Sequence, residues 1–251
     1  MLTSEPTNLQ KDNLALLELI TQQRFGVEYQ PLIDTLTGSV MGYEALARFY
    51  CSDDRPLSPL TVFKLLHDSP LMLAQVELHL KRLQVRYRPD DLPLFLNLDP
   101  HAFAIFSEVT QGGSNEFISL LRGHSGLVIE IIENTDVNDA TISQQMSELM
   151  REQGFSIALD DLGAPGSMVS LTILSEVDFI KFDRSWLKET QNDSMQLLLR
   201  SVINFARLSG KKTVIEGVET AEDLAKAVNL GIDYVQGFFY QELFITQRCY
   251  G

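Results

Sequence analysis

Eight short apolar segments rich in β-branched and aromatic residues recur along the chain, each about as long as a β-strand. They are GVEYQPLI (26–33), VMGYEALAR (40–48), LFLNL (94–98), GLVIEII (126–132), FSIALDD (155–161), DFIKFD (178–183), TVIEGV (213–218) and DYVQGFF (233–239). Between most of them lie stretches whose apolar residues fall three or four apart, as on one face of a helix. Strands alternating with helices build a parallel sheet, and eight such strands can close it into a barrel. One connection departs from this pattern. Only DTLTGS separates the first two strands, whereas a parallel crossover needs about a dozen residues or more, so these two pair antiparallel. The expected fold is α/β, a modified TIM-like (β/α)8 barrel with an antiparallel first strand.

The longest helical pattern covers Pro59–Arg86, where Val62, Leu65, Leu66, Leu73, Val76, Leu80 and Leu83 supply the apolar face. Residues 139–153, 194–209 and 220–230 read likewise, with Thr220 and Asp223 placed to start the last of them. Residues 102–122 are interrupted by QGGSN, and only the ends read as helix. A chain of 251 residues matches the usual size of a single barrel. No low-complexity linker divides it, so residues 1–23 are expected to form a helical leader and 24–251 one barrel domain.

The formal net charge of −14 excludes binding a nucleic-acid duplex through a general basic patch. The first apolar run, LALLELI, contains Glu18 and follows polar residues, unlike a secretory signal. No stretch approaches the roughly 20 apolar residues of a membrane span. Cys51 and Cys249 lack metal or disulfide spacing, so a reducing cytoplasm is the expected location.

Most of the apolar strands carry one polar residue near the carboxyl end. These are Glu44, Asn97, Glu130, Asp160 with Asp161, Lys181 with Asp183, Glu216 followed by Glu219, and Gln236. That end of a barrel is where active sites assemble. An unpaired carboxylate buried there costs several kcal/mol or takes up a proton, and the single lysine, Lys181, cannot neutralise the set. Oxygen donors without His or Cys select hard divalent ions, Mg²⁺ or Mn²⁺. Adjacent aspartates let one carboxylate bridge two ions, as in two-metal phosphoryl chemistry. Taken singly, a strand-end acid is more often a cap or surface group; the recurrence over so many strands is what favours a metal site.

MGYEALARF, which holds Glu44-Ala45-Leu46, resembles the signature of EAL-domain cyclic di-GMP phosphodiesterases. EYQPLID, LNLD, IEIIE, ALDDLG, DFIKFD, EGVET and GIDYVQGFF extend the similarity in order and spacing from about residue 24 to about 240. The resemblance implies hydrolysis of cyclic di-GMP to linear 5′-pGpG with two Mg²⁺ or Mn²⁺ ions per site. By position, Glu44, Asn97, Glu130 and Asp160 would hold one ion. Asp160, Asp161 and Glu216 would hold the other, with water between the ions as nucleophile. It further implies that Lys181 orients or polarises that water and that Glu219 and Gln236 support water or metal, so that Lys181, Glu219 and Glu44 form the catalytic group. Gln30 and Arg48, with Asp183 and Gln236, would contact the ligand; Glu133 would tether the loop after Asp161; and the protein would be a homodimer.

That loop departs from the family. Two glycines, an aromatic and serines usually follow the aspartate pair, where this chain has Ala164, Pro165, Gly166, Ser167 and Met168. Proline fixes φ and removes an amide donor. A second expectation follows from this, a cyclic di-GMP receptor or interaction module with weak or no turnover. His67 stands where the family commonly has Glu and reads as a helix-surface residue; Leu243 replaces a usual proline.

Overall fold

The computed structural model of the chain describes residues 16–109, 115–132, 137–164, 170–188 and 193–250. Eight strands close a mixed barrel: β1 (Phe25–Asp34), β2 (Val40–Tyr50), β4 (Leu94–Asn97), β5 (Leu127–Ile132), β6 (Ser156–Leu162), β7 (Phe179–Phe182), β8 (Lys212–Ile215) and β9 (Tyr234–Val235). β1 and β2 pair antiparallel, as the short connection demands, and Asp34 caps that turn by accepting from the amides of Leu36 and Thr37. From β2 onward, β4 to β9 run parallel, and β9 returns to β1 antiparallel to complete the ring. Two short strands lie outside it and carry no signal in the sequence reading. β3 (Pro56–Leu57) extends β2, and β10 (Ile245–Arg248) pairs with the first half of β1.

Helices α2 (Pro59–Leu66) and α3 (Pro70–Arg86) replace the single helix expected over 59–86. The break is chemical: Pro70 has no amide hydrogen to donate and is tolerated only in a first helical turn, so the chain stops at His67 and restarts. The remaining helices are α4 (Pro100–Val109), α5 (Glu116–Leu121), α6 (Val137–Glu152), α7 (Leu171–Glu176), α8 (Asp193–Leu208) and α9 (Ala221–Leu230), each close to its sequence expectation where one existed. Thr220 and Asp223 form a reciprocal capping box at the start of α9. Residues 16–21 are the described part of helix α1, and its Leu16 and Leu19 are buried in the main core. The leader expected over 1–23 therefore ends packed against the barrel.

Alternation along the strands separates two apolar clusters. The larger lies between barrel and helices and takes Leu94 and Leu96, Ile129 and Ile131, Ile157 and Leu159, and Ile180 and Phe182. The smaller fills the barrel: Leu32, Phe95, Val128, Ala158 and Val214, with Met41, Phe179 and Tyr234 against it. Two residues along from most of these, on the same strand face, stand Gln30, Asn97, Glu130, Asp160, Lys181, Glu216 and Gln236. β1 runs the opposite way, which is why Gln30 precedes Leu32 while the other polar residues follow their apolar partners. The barrel is thus an apolar plug beneath a polar ring.

Candidate metal centre

The ring closes around Lys181. Its Nζ lies 2.6 Å from Glu130 Oε1, 2.7 Å from Glu216 Oε1, 2.8 Å from Asp160 Oδ1 and 3.5 Å from Glu44 Oε2. Lys181 and Glu130 are 0% exposed and Glu44 is 5% exposed. Asn97 lies between Glu44 and Glu130, its Nδ2 donating to both at 2.8 and 2.9 Å. Gln236 Nε2 donates to Glu44 Oε2 at 2.6 Å and to Gln30 Oε1 at 3.3 Å.

Adjacent residues of a regular strand point to opposite faces, yet Asp160 and Asp161 both line the mouth. A bulge in β6 allows it. Leu159 pairs with Ile180 and Leu162 with Phe182, so β6 spends one residue more than β7. Asp161 sits there at φ 57°, a left-handed conformation that costs an ordinary residue about 1–2 kcal/mol and that Asp tolerates comparatively well. The bulge is pinned from behind. Trp186 Nε1 donates to the Leu162 carbonyl at 2.7 Å, and Gly163 follows at φ +83°, where a Cβ would lie 2.3 Å from the same indole nitrogen.

Carboxylate oxygens of Glu44, Glu130 and Asp160 fall within 4.8 Å of one another, and so do those of Asp160, Asp161 and Glu216. Asp160 belongs to both triads. Glu130 Oε1 and Asp160 Oδ1 are buried, and neither accepts a hydrogen bond of ordinary geometry despite the nearby ammonium. The donor set is all oxygen and suits hard divalent cations. Asn97 presents its nitrogen to the acids in this structure; ligation through its oxygen requires the opposite amide orientation.

Burial opposes the charged form of each acid. It prevails at Glu130, Asp160 and Glu216, whose carboxyls are pushed up by burial and by neighbouring negative charge against the pull of Lys181. At Glu44 burial is outweighed by Lys181 and by hydrogen bonds from Gln236 and Asn97, which hold this carboxyl below its usual value. Lys181 goes up, because four acids overcome the cost of its burial. Asp161 is pushed up to about 6 by burial and then by Asp160, with Lys181 opposing.

A pH dependence follows. Asp161 binds its proton more tightly in the folded metal-free protein than in the unfolded chain, where Asp titrates near 3.9. The stability it contributes is full below about pH 4 and is lost as pH rises through about 6. Glu130, Asp160 and Glu216 act in the same direction. Thermal unfolding in EDTA is expected to give a higher Tm at pH 5 than at pH 7.5, and saturating Mg²⁺ to raise Tm more at the higher pH. A metal-free Tm that climbs between pH 5 and 7.5 contradicts this.

A cavity of about 560 Å³ opens over the cluster. Gln30, Glu44, Arg48, Asn97, Asp160, Asp161, Glu216, Glu219 and Gln236 line it. Asp183, expected as a ligand contact, stands apart from the cavity wall; its Oδ1 accepts from the Ser185 amide and caps the 3-10 turn Arg184–Leu187. Glu219 forms an ion pair with Arg184 at 3.1 Å on the rim. Glu133 and Pro165–Met168 lie outside the described residues. Sequence reasoning missed Arg184, Asp99, Phe238 and the buried Glu77–Lys81 pair, which also line the cavity. His67, read as a surface residue, lines it too and contacts Asp99 at 3.0 Å. Glu77 and Lys81 sit on α3 at i,i+4, a spacing that reads as a solvated face, yet they are 4% and 2% exposed.

Known proteins resemble this chain over most of its length. A profile of the EAL domain matches residues 13–242. The probable cyclic di-GMP phosphodiesterase PdeG of Escherichia coli K12 is 29% identical over 219 residues, covering 84% of this chain and 43% of PdeG. The cyclic di-GMP phosphodiesterase PdeL of the same organism is 23% identical over 222 residues, covering 84% of this chain and 60% of PdeL. The chain spans 28% to 60% of the length of these and similar curated relatives. Among solved structures, the PaMucR phosphodiesterase in its c-di-GMP complex superposes with a TM-score of 0.76 at 24% identity, over 95% of this chain and 98% of that one. Bacillus subtilis YkuI, in complex with substrate c-di-GMP and calcium, gives 0.74 at 24% identity, over 94% of this chain and 59% of that one. The chain belongs to the EAL domain family.

Proposed function

We propose that the protein hydrolyses cyclic di-GMP to linear 5′-pGpG with two Mg²⁺ or Mn²⁺ ions. The observation that carries this reading is the pair of carboxylate triads sharing Asp160 at the floor of the cavity. Glu44, Asn97, Glu130 and Asp160 would hold one ion and Asp160, Asp161 and Glu216 the other. Such ions lower the proton affinity of water and offset charge on phosphoryl oxygens. Water adds to one phosphorus, the bond from that phosphorus to the ribose 3′ oxygen breaks, and the 3′ oxygen leaves with a proton.

The chain's own residues do the rest. Lys181, held among four acids, remains an ammonium and would orient or polarise the reacting water. Gln236 fixes Glu44 from behind, and Glu219 stands on the rim where it can hold water. Gln30 and Arg48 on the wall are suited to phosphate or a guanine edge, since a guanidinium fork meets either. Asp183 caps the turn that carries Arg184, which lines the cavity. Glu133 is assigned to the loop after Asp161 by resemblance. The assembly is proposed as a homodimer, consistent with the exposed Leu171, Leu197, Leu198 and Leu208 on α7 and α8. The location is proposed as cytoplasmic, which suits the free thiols Cys51 and Cys249; no helix among the described residues is long and apolar enough to cross a membrane.

The test is incubation of purified protein with cyclic di-GMP and Mg²⁺ or Mn²⁺, followed by chromatography. Formation of pGpG that stops on adding EDTA is expected. Nucleotide binding without product would sink the enzyme reading in favour of the receptor reading, which rests on the altered loop of Ala164, Pro165 and Gly166. A large rise in turnover when residue 165 becomes glycine and 166 aromatic would show that the native loop is impaired.

A further inference from the structure

Glu28 has no role in the metal centre, yet it stands at one end of a continuous hydrogen-bonded run along the cavity wall. Its Oε1 accepts from Arg48 Nη2 at 2.6 Å and from Gln30 Nε2 at 2.9 Å. Gln30 Oε1 in turn accepts from Gln236 Nε2, which also donates to Glu44 Oε2. Glu44 then accepts from Asn97, which bridges to Glu130. Glu28 Oε2 meets Thr246 Oγ1 on β10 at 3.4 Å, so the added C-terminal strand anchors the far side.

The direction of the run follows from donor and acceptor chemistry. An ionised carboxylate only accepts, and a carboxamide has one accepting and one donating end. Because Glu28 can only accept, Gln30 must turn its nitrogen toward it and its oxygen toward Gln236. Gln236 must then donate. Burial works against ionised Glu28, but hydrogen bonds from Arg48 and Gln30 and the Arg48 charge outweigh it, and the carboxyl lies below its usual value. One acid therefore fixes both the guanidinium and the amide that face the cavity.

We infer that Glu28 is a positioning residue for substrate: it orients Arg48 and Gln30 for the nucleotide and spares the ligand the work of ordering them. The inference rests on the cyclic di-GMP reading of the site. Residues that hold a binding group in place improve affinity by reducing what must be ordered on binding. Glu28 belongs to the motif stretch EYQPLID, where alternation along β1 places it on the same face as Gln30.

The test compares E28A, E28Q, R48A and E28A/R48A in full kinetics, with calorimetric binding of cyclic di-GMP in EDTA and the Tm increase given by Mg²⁺. E28A is expected to raise KM and Kd about tenfold while kcat stays within about threefold. E28Q keeps the shape but can donate as well as accept, so about a threefold rise is expected. The Mg²⁺-induced rise in Tm should be unchanged in both. In the double variant Glu28 has no guanidinium left to orient and only Gln30 still to hold, so KM should rise by clearly less than the product of the two single effects. An unchanged KM, effects that multiply in the double variant, or a loss of kcat with loss of the Mg²⁺ response would overturn the inference. A wild-type protein that binds but does not turn over would sink the phosphodiesterase reading and leave the Kd comparison to judge Glu28.

Discussion

Asp160→Asn is expected to lower turnover by about 10³-fold or more and to abolish the Tm increase that Mg²⁺ or Mn²⁺ gives, while the metal-free protein at pH 8 becomes no less stable than wild type. Asp160 is the one acid common to both triads, so its loss weakens both proposed ion positions together. The effect on the metal-free fold has the opposite sign. The Asp160 carboxyl is raised by burial and by Glu44 even with Lys181 2.8 Å away, which means the folded state carries its charge reluctantly. Asparagine removes that charge and keeps an oxygen acceptor of the same shape. Glu44→Gln supplies the contrast. The Glu44 carboxyl lies below its usual value, so the metal-free fold gains from its charge and should be less stable at pH 8 without it. Differential scanning calorimetry in EDTA and in Mg²⁺, alongside pGpG formation, reads all three quantities. An Asp160→Asn protein that still responds to Mg²⁺ and keeps a tenth of the turnover would contradict the bridging assignment.

The barrel was legible because its strands obey two periods at once. An apolar run such as DFIKFD reports burial on both faces, and the lone Lys181 within it reports the polar ring above the plug. The antiparallel start was legible because six residues cannot form a crossover. Other features depend on geometry that no local pattern encodes. Asp160 and Asp161 are adjacent in sequence, and only the bulge against β7 and the left-handed φ of Asp161 turn both into the mouth. β10 and β3 are short edge pairings whose residues look like any loop. Glu77 and Lys81 were hidden because an i,i+4 acid–base pair reads as a solvated helix face, although α3 is buried on more than one side. The break before Pro70 was the most readable of the missed features: a proline inside a helical period marks a boundary.

Lys181→Met is expected to separate the two tasks of the lysine. In the metal-free protein Nζ is the counter-charge for Glu130, Glu216, Asp160 and, farther off, Glu44. Removing one partner from a buried charged cluster costs about 3–5 kcal/mol. The loss should be larger at pH 8 than at pH 5.5, because protonation of the raised carboxyls relieves the same repulsion at low pH. Divalent cations offset the acids that lysine no longer reaches, so saturating Mg²⁺ should restore most of the lost Tm. The rate should not follow. A positioned ammonium that orients and polarises the reacting water contributes about 10²–10³-fold, and no other cationic side chain among the described residues lies within 4 Å of these four acids. Recovery of the fold by Mg²⁺ with turnover still down by about 10²-fold would mark Lys181 as a participant in the chemistry. Recovery of both would reduce it to a counter-ion that metals can replace, and an unaltered metal-free Tm would mean that the four acids do not carry their charge in the fold.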